Sequence, residues 1–499
     1  MKTRFTIIAA VLLMSLSLSA QNIDDALRYS KLFYQGTARF DGMGGAFTAL
    51  GGDLSAISLN PAGIAVFRST EFTVSTQVNF TNNNANFLGS SIESQSSQFN
   101  LGQIGLVTAM TLGNGSGLKS LSFGYSFSRT NNYDSHIIID GISDASSMAD
   151  YWADLATGYN TWELKDNTSA GYMAYQQLLI DTLSNSFTDY ASIFSYYGED
   201  SPVYGQQTKR TIDNEGYTGD HTIVLGANLA DKLYIGAGFG LTALNYTGHY
   251  KHTEKDAANL IYDFVDFTYT DHFDAQGSGW NFKIGAIFRP VEMMRIGFSF
   301  TTPTYYTIDE YYFSNLSSYL DLNTPNDPTD DFEGVTETDP NTYHYELNTP
   351  YRINTGIAFQ LGTMGLISAD YEYVDYASAK FRHGADGYDF NNENEDISLE
   401  LKGASNIRVG AEVRFGPAYI RGGYRYYGSA FKSGSLNENA SYNGYSAGLG
   451  YRQNKFYLDL SFSGLINSEN YMMYPSAWLE PVNMHNHDKR LTGTVGIRF

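Results

Sequence analysis

The stretch Arg39–Phe67, RFDGMGGAFTALGGDLSAISLNPAGIAVF, has a different sequence pattern from the rest of the chain. Five glycines lie between Gly42 and Gly52, and the apolar residues follow neither the helical period nor the alternation of a strand. Alternating strands begin directly after this stretch. We therefore predict that residues 21–69 form a plug and that residues 70–499 form a β-barrel wall around it.

The first twenty residues have the layout of a signal peptide. Lys2 and Arg4 precede the apolar core Phe5–Leu18, and small residues end at Ala20. The core is too short to cross a bilayer as a helix. We expect residues 1–20 to be removed and the mature chain to be exported. The absence of cysteine excludes disulfide bonds and thiolate metal sites.

The composition favours a membrane barrel. Aromatic residues make up 15% of the chain, with 40 tyrosines and 49 glycines, whereas charged residues make up only 17%. A barrel has a weak hydropathy signal because only alternate residues face lipid. A secreted array of β-sandwiches is the alternative that shares the strand signal. The net charge of −22 argues against nucleic acid as a partner.

Period-two alternation recurs along the chain after the plug. In Glu71–Phe80, the apolar residues Phe72, Val74, Val78 and Phe80 share one face. The pattern returns in seven further segments: Leu121–Phe127, Leu233–Leu241, Met294–Phe300, Ile353–Leu361, Ile407–Phe415, Phe456–Phe462 and Leu491–Phe499.

Connections between these strands alternate in length. Tight turns are predicted at Ala230–Lys232, Arg289–Met293, Gly362–Gly365, Gly416–Pro417 and Arg452–Lys455. Long polar loops are predicted at about Thr81–Ser97, Thr130–Gly216, Lys251–Gln276, Ile308–Thr342 and Asn467–His487. Short turns on one rim and long loops on the other are typical of outer-membrane barrels. The fold class predicted is an all-β membrane protein, an antiparallel transmembrane β-barrel of about 14 strands with both termini on the periplasmic, short-turn side.

The insertion at 131–216 is too long for a simple loop. Its parts Ser146–Ala156 and Ala170–Leu183 have helical spacing. We expect these helices to lie on the extracellular side of the barrel.

Charged residues alternate with the apolar ones on three late strands. If the apolar sets face lipid, the lumen receives Asp370, Glu372, Arg408, Glu412, Arg414, Arg421 and Arg425. These groups either line a water-filled pore or form an ionic network that holds the plug through Asp41, Asp53 and its backbone.

The catalytic and metal-binding motifs fail in their structural context. Gly444–Gly448 matches G-x-S-x-G, but the alternation of a strand runs through it, so Ser446 lacks the strand–turn–helix of a nucleophile elbow. The remaining candidates are the histidine pairs His249/His252 and His485/His487, which lack further ligands at metal-site spacing and are interpreted as loop residues. We expect no enzyme activity and no cofactor.

The plug stretch resembles the N-terminal hatch of the FadL/TodX-type (OmpP-like) outer-membrane transport proteins. In that family a G-R-x-x-x-M-G-G-A-like run leads to N-P-A-G and then to the first barrel strand. The matching residues are Arg39, Met43–Ala46 and Asn60–Gly63, whereas Ala38 stands where the family has glycine. The following strand, the strand count and the terminal Phe499 extend the resemblance over most of the mature chain.

The resemblance implies a fourteen-stranded barrel with a small helical hatch in its lumen. It also implies passive transport of long-chain fatty acids or aromatic hydrocarbons, with a sideways exit through the wall. The residues that it assigns to the hatch or gate are Gly42, Met43, Gly44, Gly45, Asn60, Pro61, Ala62 and Gly63. Candidate ligand contacts are Leu32, Phe33, Tyr34 and Phe47, although packing of the hatch explains these four equally well.

The partners expected are a hydrophobic small molecule and the lipid of the cell outer membrane. The long insertion favours an alternative function, in which the barrel is an accessory of a secretion or assembly machinery and binds a protein at its extracellular loops. A plain diffusion pore is a third reading, and the plug argues against it.

Overall fold

The computed structural model describes residues 22–112, 117–196, 202–322 and 330–499. The predicted signal peptide, residues 1–20, lies outside these residues. Fourteen antiparallel strand positions close into a barrel, in which the first strand pairs with both the second and the last. The predicted fold class is therefore confirmed.

Several of the fourteen wall strands are broken into two consecutive segments, so the number of segments is larger than fourteen. The segments are β1 Glu71–Phe87, β2 Ser90–Thr111, β3 Leu118–Asn132, β4 Ser135–Ser143, β5 Ile180–Thr182, β6 Tyr190–Ser192, β7 Gln206–Leu229, β8 Leu233–Lys255, β9 Phe264–Val291, β10 Met294–Thr301, β11 Tyr305–Leu320, β12 Phe332–Glu337, β13 Asn341–Asn348, β14 Arg352–Leu361, β15 Gly365–Asp375, β16 Lys380–Arg382, β17 Gly403–Phe415, β18 Ala418–Tyr427, β19 Tyr442–Gln453, β20 Phe456–Tyr471 and β21 Val482–Arg498.

Two neighbouring wall positions are interrupted at proline. Pro303 separates β10 from β11, and Pro350 separates β13 from β14. Proline has no backbone N–H, so it cannot continue a ladder in the middle of a sheet. Both breaks lie at the same height, because Thr304 and Thr349 are hydrogen-bonded to each other across them.

The outer face of the wall is apolar. Leu449, Leu458 and Val495 are more than half exposed, whereas residues between them, such as Asp459 and Thr494, are buried towards the lumen. An outward apolar face over a polar interior is the pattern of a barrel embedded in lipid. None of the helices in the described ranges is long and apolar enough to cross a membrane.

The strands continue well beyond this apolar belt. β9 has 28 residues, which corresponds to about 90 Å of strand at the usual rise per residue. The segments predicted as loops Thr81–Ser97 and Lys251–Gln276 are therefore mostly strand. The prediction was wrong because a strand that is polar on both faces lacks the apolar alternation by which strands were recognised.

The plug fills the lumen with short elements. They are α1 Ile23–Ser30, α2 Ala38–Gly42 and two 3-10 turns at Ala56–Ser58 and Pro61–Val66. Asn22 caps α1 with a capping box, and Thr37 caps α2. Gly44 and Gly45 both have positive φ, a conformation that glycine adopts without strain, so the chain can reverse inside the barrel.

A helical cap lies over the long-loop end of the barrel. It contains α3 Met148–Ala156, α4 Leu164–Asn167, α5 Ser169–Gln176, α6 Ile193–Tyr196 and the β5–β6 hairpin, and α7 Asn391–Glu400 lies in a later loop. Trp152 is buried against Phe267, with ring centroids 5.2 Å apart. The predicted helix Ala170–Leu183 is too long, because Leu178 has positive φ and the chain then enters β5.

Candidate ligand site beside the plug

The plug contacts the wall through backbone at two patches of wall glycine. On β8 and β9, a Cβ at Gly236 would lie 2.4 Å from Pro61, and a Cβ at Gly285 would lie 1.9 Å from the Asn60 side-chain oxygen. The Asn60 side chain caps the following 3-10 turn by accepting from the Ala62 N–H over 3.0 Å. The N-P-A-G motif therefore packs directly on the backbone of the wall, at positions where any side chain larger than that of glycine would overlap it.

The second patch lies on β17 and β18, under the other half of the plug motif. A Cβ at Gly410 would lie 2.3 Å from the Met43 carbonyl, and one at Gly423 would lie 2.3 Å from the Gly44 nitrogen. The Gly44 N–H also donates to the Ser446 hydroxyl over 3.1 Å. Ser446, the serine of the G-x-S-x-G match, thus contacts the plug.

One buried ion network joins the plug to the late strands. The guanidinium of Arg39 holds both oxygens of Glu412, with its Nε 3.0 Å from Oε2. Glu412 also accepts from Arg421 over 2.6 Å, and Arg421 donates to Asp459 over 2.6 Å. The alternating charges balance one another in a region from which water is largely excluded, where charge-assisted hydrogen bonds are strong.

A second network lies within the wall and touches the plug from the side. Glu372 pairs with Arg352 over 2.8 Å and with Arg408 over 2.7 Å. The Arg408 guanidinium carbon lies 5.6 Å from the ring centre of Tyr34 in the plug. Asp370 accepts directly from the plug through the Thr48 N–H, over 2.8 Å.

Asp41 of the plug has its own wall partners. Its carboxylate pairs with Arg490 over 3.2 Å and accepts from the Thr492 hydroxyl over 2.9 Å. Asp53, by contrast, accepts from the Thr37 hydroxyl and the Ser55 N–H inside the plug. Of the two acidic anchors proposed from sequence, Asp41 therefore reaches the wall, and Asp53 stabilises the plug itself.

Two of the predicted lumen arginines stand outside these networks. Arg414 is exposed beside the turn and donates to the Gly416 carbonyl over 2.9 Å, so its assignment to the lumen network was wrong. The strand alternation points Arg414 inward. At this end of β17, however, the plug no longer lies beside the strand. Arg425 is buried and packs against Gly444. A Cβ added at Gly444 would lie 2.5 Å from the Arg425 Cγ.

A small polar cavity of about 30 Å³ lies between the plug and β7–β11. Leu32 and Tyr34 line it from the plug, and the ion pair Asp220–Lys283 (2.7 Å) lines it from the wall. A volume of this size holds roughly one or two waters, whereas small-molecule sites usually measure about 300–1,000 Å³. With the plug seated as observed, the cavity is therefore too small to hold a typical small-molecule ligand.

The four predicted ligand contacts separate into two groups. Leu32 and Tyr34 line the cavity. Phe33 packs edge-on against Tyr427, with centroids 5.1 Å apart. Phe47 is completely buried against Phe40 inside the plug and does not line the cavity.

The wall is interrupted next to this cavity. β3 pairs with β2 only from Ser120 to Ser128, and β2 from Ser90 to Gly102 pairs with β1 alone among the described residues. β3 bulges at Thr130 and continues as β4 on the lumen side of β1. There the Asn83 amide donates to the His136 carbonyl over 2.9 Å.

The plug takes the place of β2 beside the bulge. The Phe33 N–H donates to the Thr130 carbonyl over 2.7 Å, and the Gln35 N–H donates to the Arg129 carbonyl over 3.1 Å. Thr130 also lines the small cavity. The cavity and the interruption in the wall therefore share one residue.

The histidine pairs lie on strands rather than in loops. His249 and His252 belong to β8, and His485 and His487 belong to β21. His252 is buried, with its Nε2 3.0 Å from Glu254. Within the described ranges, no group of three or more histidine and carboxylate side chains is arranged to hold a metal ion.

Several site residues were not singled out from sequence, although their strand faces were readable. Asp459 lies between the outward Leu458 and Leu460, and Lys283 lies between the outward Phe282 and Ile284. The alternation assigns such residues to the lumen. Their partners could not be identified, because Arg421 and Asp459 are brought together only by the strand register.

Fold and site together define a plugged transmembrane β-barrel. The wall is apolar outside, the lumen is filled by the N-terminal segment of the same chain, and an interrupted wall position lies beside the plug.

Comparison with known structures agrees with this description. A FadL homologue from Pseudomonas aeruginosa superposes with a TM-score of 0.57 at 12% identity, covering 94% of this chain and 99% of that chain. The toluene transporter TodX from Pseudomonas putida gives a TM-score of 0.52 at 12% identity, covering 94% and 100%. At such identities the likeness establishes the fold. The chain has the FadL/TodX-type fold, as the hatch resemblance predicts.

Sequence comparison covers only the N-terminal part of the chain. Residues 6–102 match the model of the uncharacterised protein family UPF0164. This range contains the plug, β1 and the first part of β2. No curated protein matches the chain by sequence.

Proposed function

We propose that the protein is a passive outer-membrane transporter of hydrophobic small molecules, such as long-chain fatty acids or aromatic hydrocarbons. The observation that carries this proposal is the position of Thr130, which lines the cavity beside the plug and also marks the point where β3 leaves β2. A molecule held in an enlarged cavity would be adjacent to a sideways exit. Export through the 1–20 leader belongs to the same proposal.

Hydrophobic cargo suits a sideways exit. An apolar molecule gains about 25 cal/mol for each Å² that leaves water, so passing directly from the lumen into lipid avoids an aqueous step. The outward apolar belt supports this route, because a wall surface of this kind is expected to face lipid. No catalysis or cofactor is needed.

Transport requires the plug segment around Phe33 to move, because the cavity is too small for cargo in the observed form. The segment is held there by the two backbone hydrogen bonds to β3. Such bonds contribute about 1 kcal/mol each, so binding of an apolar ligand can offset their loss. The wall networks of Arg39 and Asp41 would keep the rest of the plug seated.

The test is uptake by liposomes that contain the purified protein. Toluene and dodecanoate are offered, and Thr130→Tyr is compared with Thr355→Tyr, which adds the same ring at an exposed position of β14. We expect the parent protein and Thr355→Tyr to accelerate uptake and Thr130→Tyr to behave like protein-free liposomes. Equal uptake by parent and protein-free liposomes would contradict the proposal.

A second candidate function is that of an accessory protein that binds a partner at the long-loop end. The observation in its favour is the exposure of Trp162 (75%) and Phe187 (83%) on the helical cap, since large exposed apolar side chains mark interaction sites. Recovery of a stoichiometric protein partner, lost in the double variant Trp162→Ser/Phe187→Ser, together with unaltered uptake, would favour this function over transport.

A further inference from the structure

A pocket of about 320 Å³ opens at the short-turn end of the barrel, between the plug and the wall. It lies on the opposite side of the plug from the helical cap and is separate from the small cavity. Its residues come from the ends of five strands and from the plug segment.

The pocket is rich in arginine, although the protein is acidic. Four arginines and one glutamate line it, although the whole chain has a net charge of −22. Three of the arginines have carboxylate partners: Arg39 is paired with Glu412, Arg498 with Glu71 over 2.7 Å and Arg68 with Asp231 over 2.6 Å.

Arg295 is the arginine whose charge is not balanced. Its side chain donates to the Leu50 carbonyl over 2.6 Å, and no carboxylate of the described residues lies within 4 Å of it. A guanidinium has five N–H donors in a planar fork that matches a carboxylate or a phosphate. A half-buried arginine of this kind offers its remaining donors to an anion that enters the pocket.

Part of the pocket lining is apolar. Leu50, Val66 and Phe67 line it from the plug, and Ala358 and Leu366 line it from the wall. The volume lies at the lower end of the range for small-molecule sites. Charge and surface together fit a small molecule that has one anionic headgroup and one apolar tail.

We infer that this pocket is a binding site for an anionic amphiphile, with Arg295 holding a carboxylate or phosphate headgroup and the apolar residues holding the first part of the tail. The site goes beyond the proposed transport and does not depend on it, because it lies on the other side of the seated plug. A neutral hydrocarbon would lack the group that Arg295 binds.

Binding is measured by fluorescence quenching. Gln360→Trp places a fluorophore at the exposed edge of the pocket, which none of the four native tryptophans (Trp152, Trp162, Trp280 and Trp478) lines. The protein, in a non-ionic detergent, is titrated with 2-bromododecanoate, and the protein without the added tryptophan gives the background. Dodecyl phosphate and the neutral dodecanol are then used as competitors.

We expect saturable quenching that dodecyl phosphate or dodecanoate reverses and dodecanol does not. Arg295→Gln is expected to weaken binding by about tenfold or more, the factor for loss of a charge-assisted hydrogen bond. Arg295→Lys should recover part of the affinity, because it keeps the charge without the planar fork. Lys455→Gln removes an exposed cation at the same end of the barrel and serves as the matched control.

Competition by dodecanol as strong as that by the acids, or equal affinities of Arg295→Gln and the parent, would overturn the inference. Toluene uptake by liposomes is measured on the same variants. If Arg295→Gln loses anion binding but keeps normal toluene uptake, the binding site is supported and the transport proposal is unaffected. If the parent binds the anion but gives no uptake, the transport proposal alone is contradicted.

Discussion

The amide of Phe33 donates to the carbonyl of Thr130 over 2.7 Å, so that the plug pairs with β3 at the height where β2 no longer does. A segment of the plug is thereby part of the wall. Because Thr130 also lines the cavity, a movement of the plug segment would change the cavity and the wall at once.

Replacing Phe33 with proline should open this junction. Proline removes the N–H that donates to Thr130, at a cost of about 1 kcal/mol for the hydrogen bond. We expect more frequent opening, measured as higher ion conductance in planar bilayers. Phe33→Leu keeps the amide while losing the ring contacts, and it should conduct like the parent; equal conductance of Phe33→Pro and the parent would refute the role of this bond.

Loss of Arg39 should loosen the plug more than loss of Arg414. Arg39→Gln leaves Glu412 buried with fewer donors, which costs about 1–3 kcal/mol, and it removes the charged link between plug and wall. Conductance should rise and the unfolding midpoint on heating should fall. Arg414→Gln is the control, because Arg414 is exposed and its side chain donates to the turn and lies over the Tyr419 ring. Indistinguishable variants would mean that the network does not hold the plug.

Gly285→Ala should displace the N-P-A-G motif. The added Cβ would lie 1.9 Å from the Asn60 oxygen, and overpacking of this kind costs about 1–3 kcal/mol. Samples are incubated at a series of temperatures before electrophoresis. The incubation temperature at which the folded band disappears from the gel should fall. Gly493→Ala, where a Cβ would meet nothing within 4 Å, should leave that temperature unchanged; a similar fall in both variants would point to general strand effects.

The first plug helix, α1, should be protected from hydrogen exchange more strongly in mild acid than at neutral pH. Burial raises the pKa of Asp25 to about 6, although the ion pair with Arg28 acts in the opposite direction. The folded form therefore binds the proton more tightly than the unfolded form, and this stabilisation is lost as pH rises from about 4 through 6. Hydrogen exchange of α1, corrected for the intrinsic rates, measures the effect.

Asp25→Asn carries no titrating group at this position, so its protection should vary little over the same range. If the parent and Asp25→Asn show the same dependence on pH, the effect arises elsewhere.

The wall could be predicted from sequence because its signal is local. Outward apolar residues such as Leu458 and Leu460 alternate with lumen residues such as Asp459, and tight turns mark the paired strands. The plug motif was equally visible. What could not be predicted depends on strand register and on contacts distant in sequence: Arg39 meets Glu412 across 373 residues.

The glycine patches illustrate the same limit of local patterns. Gly236 and Gly285 fall within ordinary strands, and only the seated Pro61 and Asn60 explain the missing side chains. The wall interruption at Thr130 likewise lies in a segment whose alternation gives no sign of it. For Arg414 the local pattern was correct and the inference from it was wrong. The residue lies on the inward face of its strand, but the plug does not extend to that end of the barrel.

The contacts of the plug also constrain the order of assembly. Its N-P-A-G motif is seated on β8 and β9, whereas Arg39 and Gly44 require β17 to β19, which are synthesised near the end of the chain. The segment made first therefore cannot be completely seated until almost all of the wall exists. Since β1 must also pair with β21, sealing of the lumen and closure of the barrel are steps of one late event, and a chain truncated before β17 would yield neither.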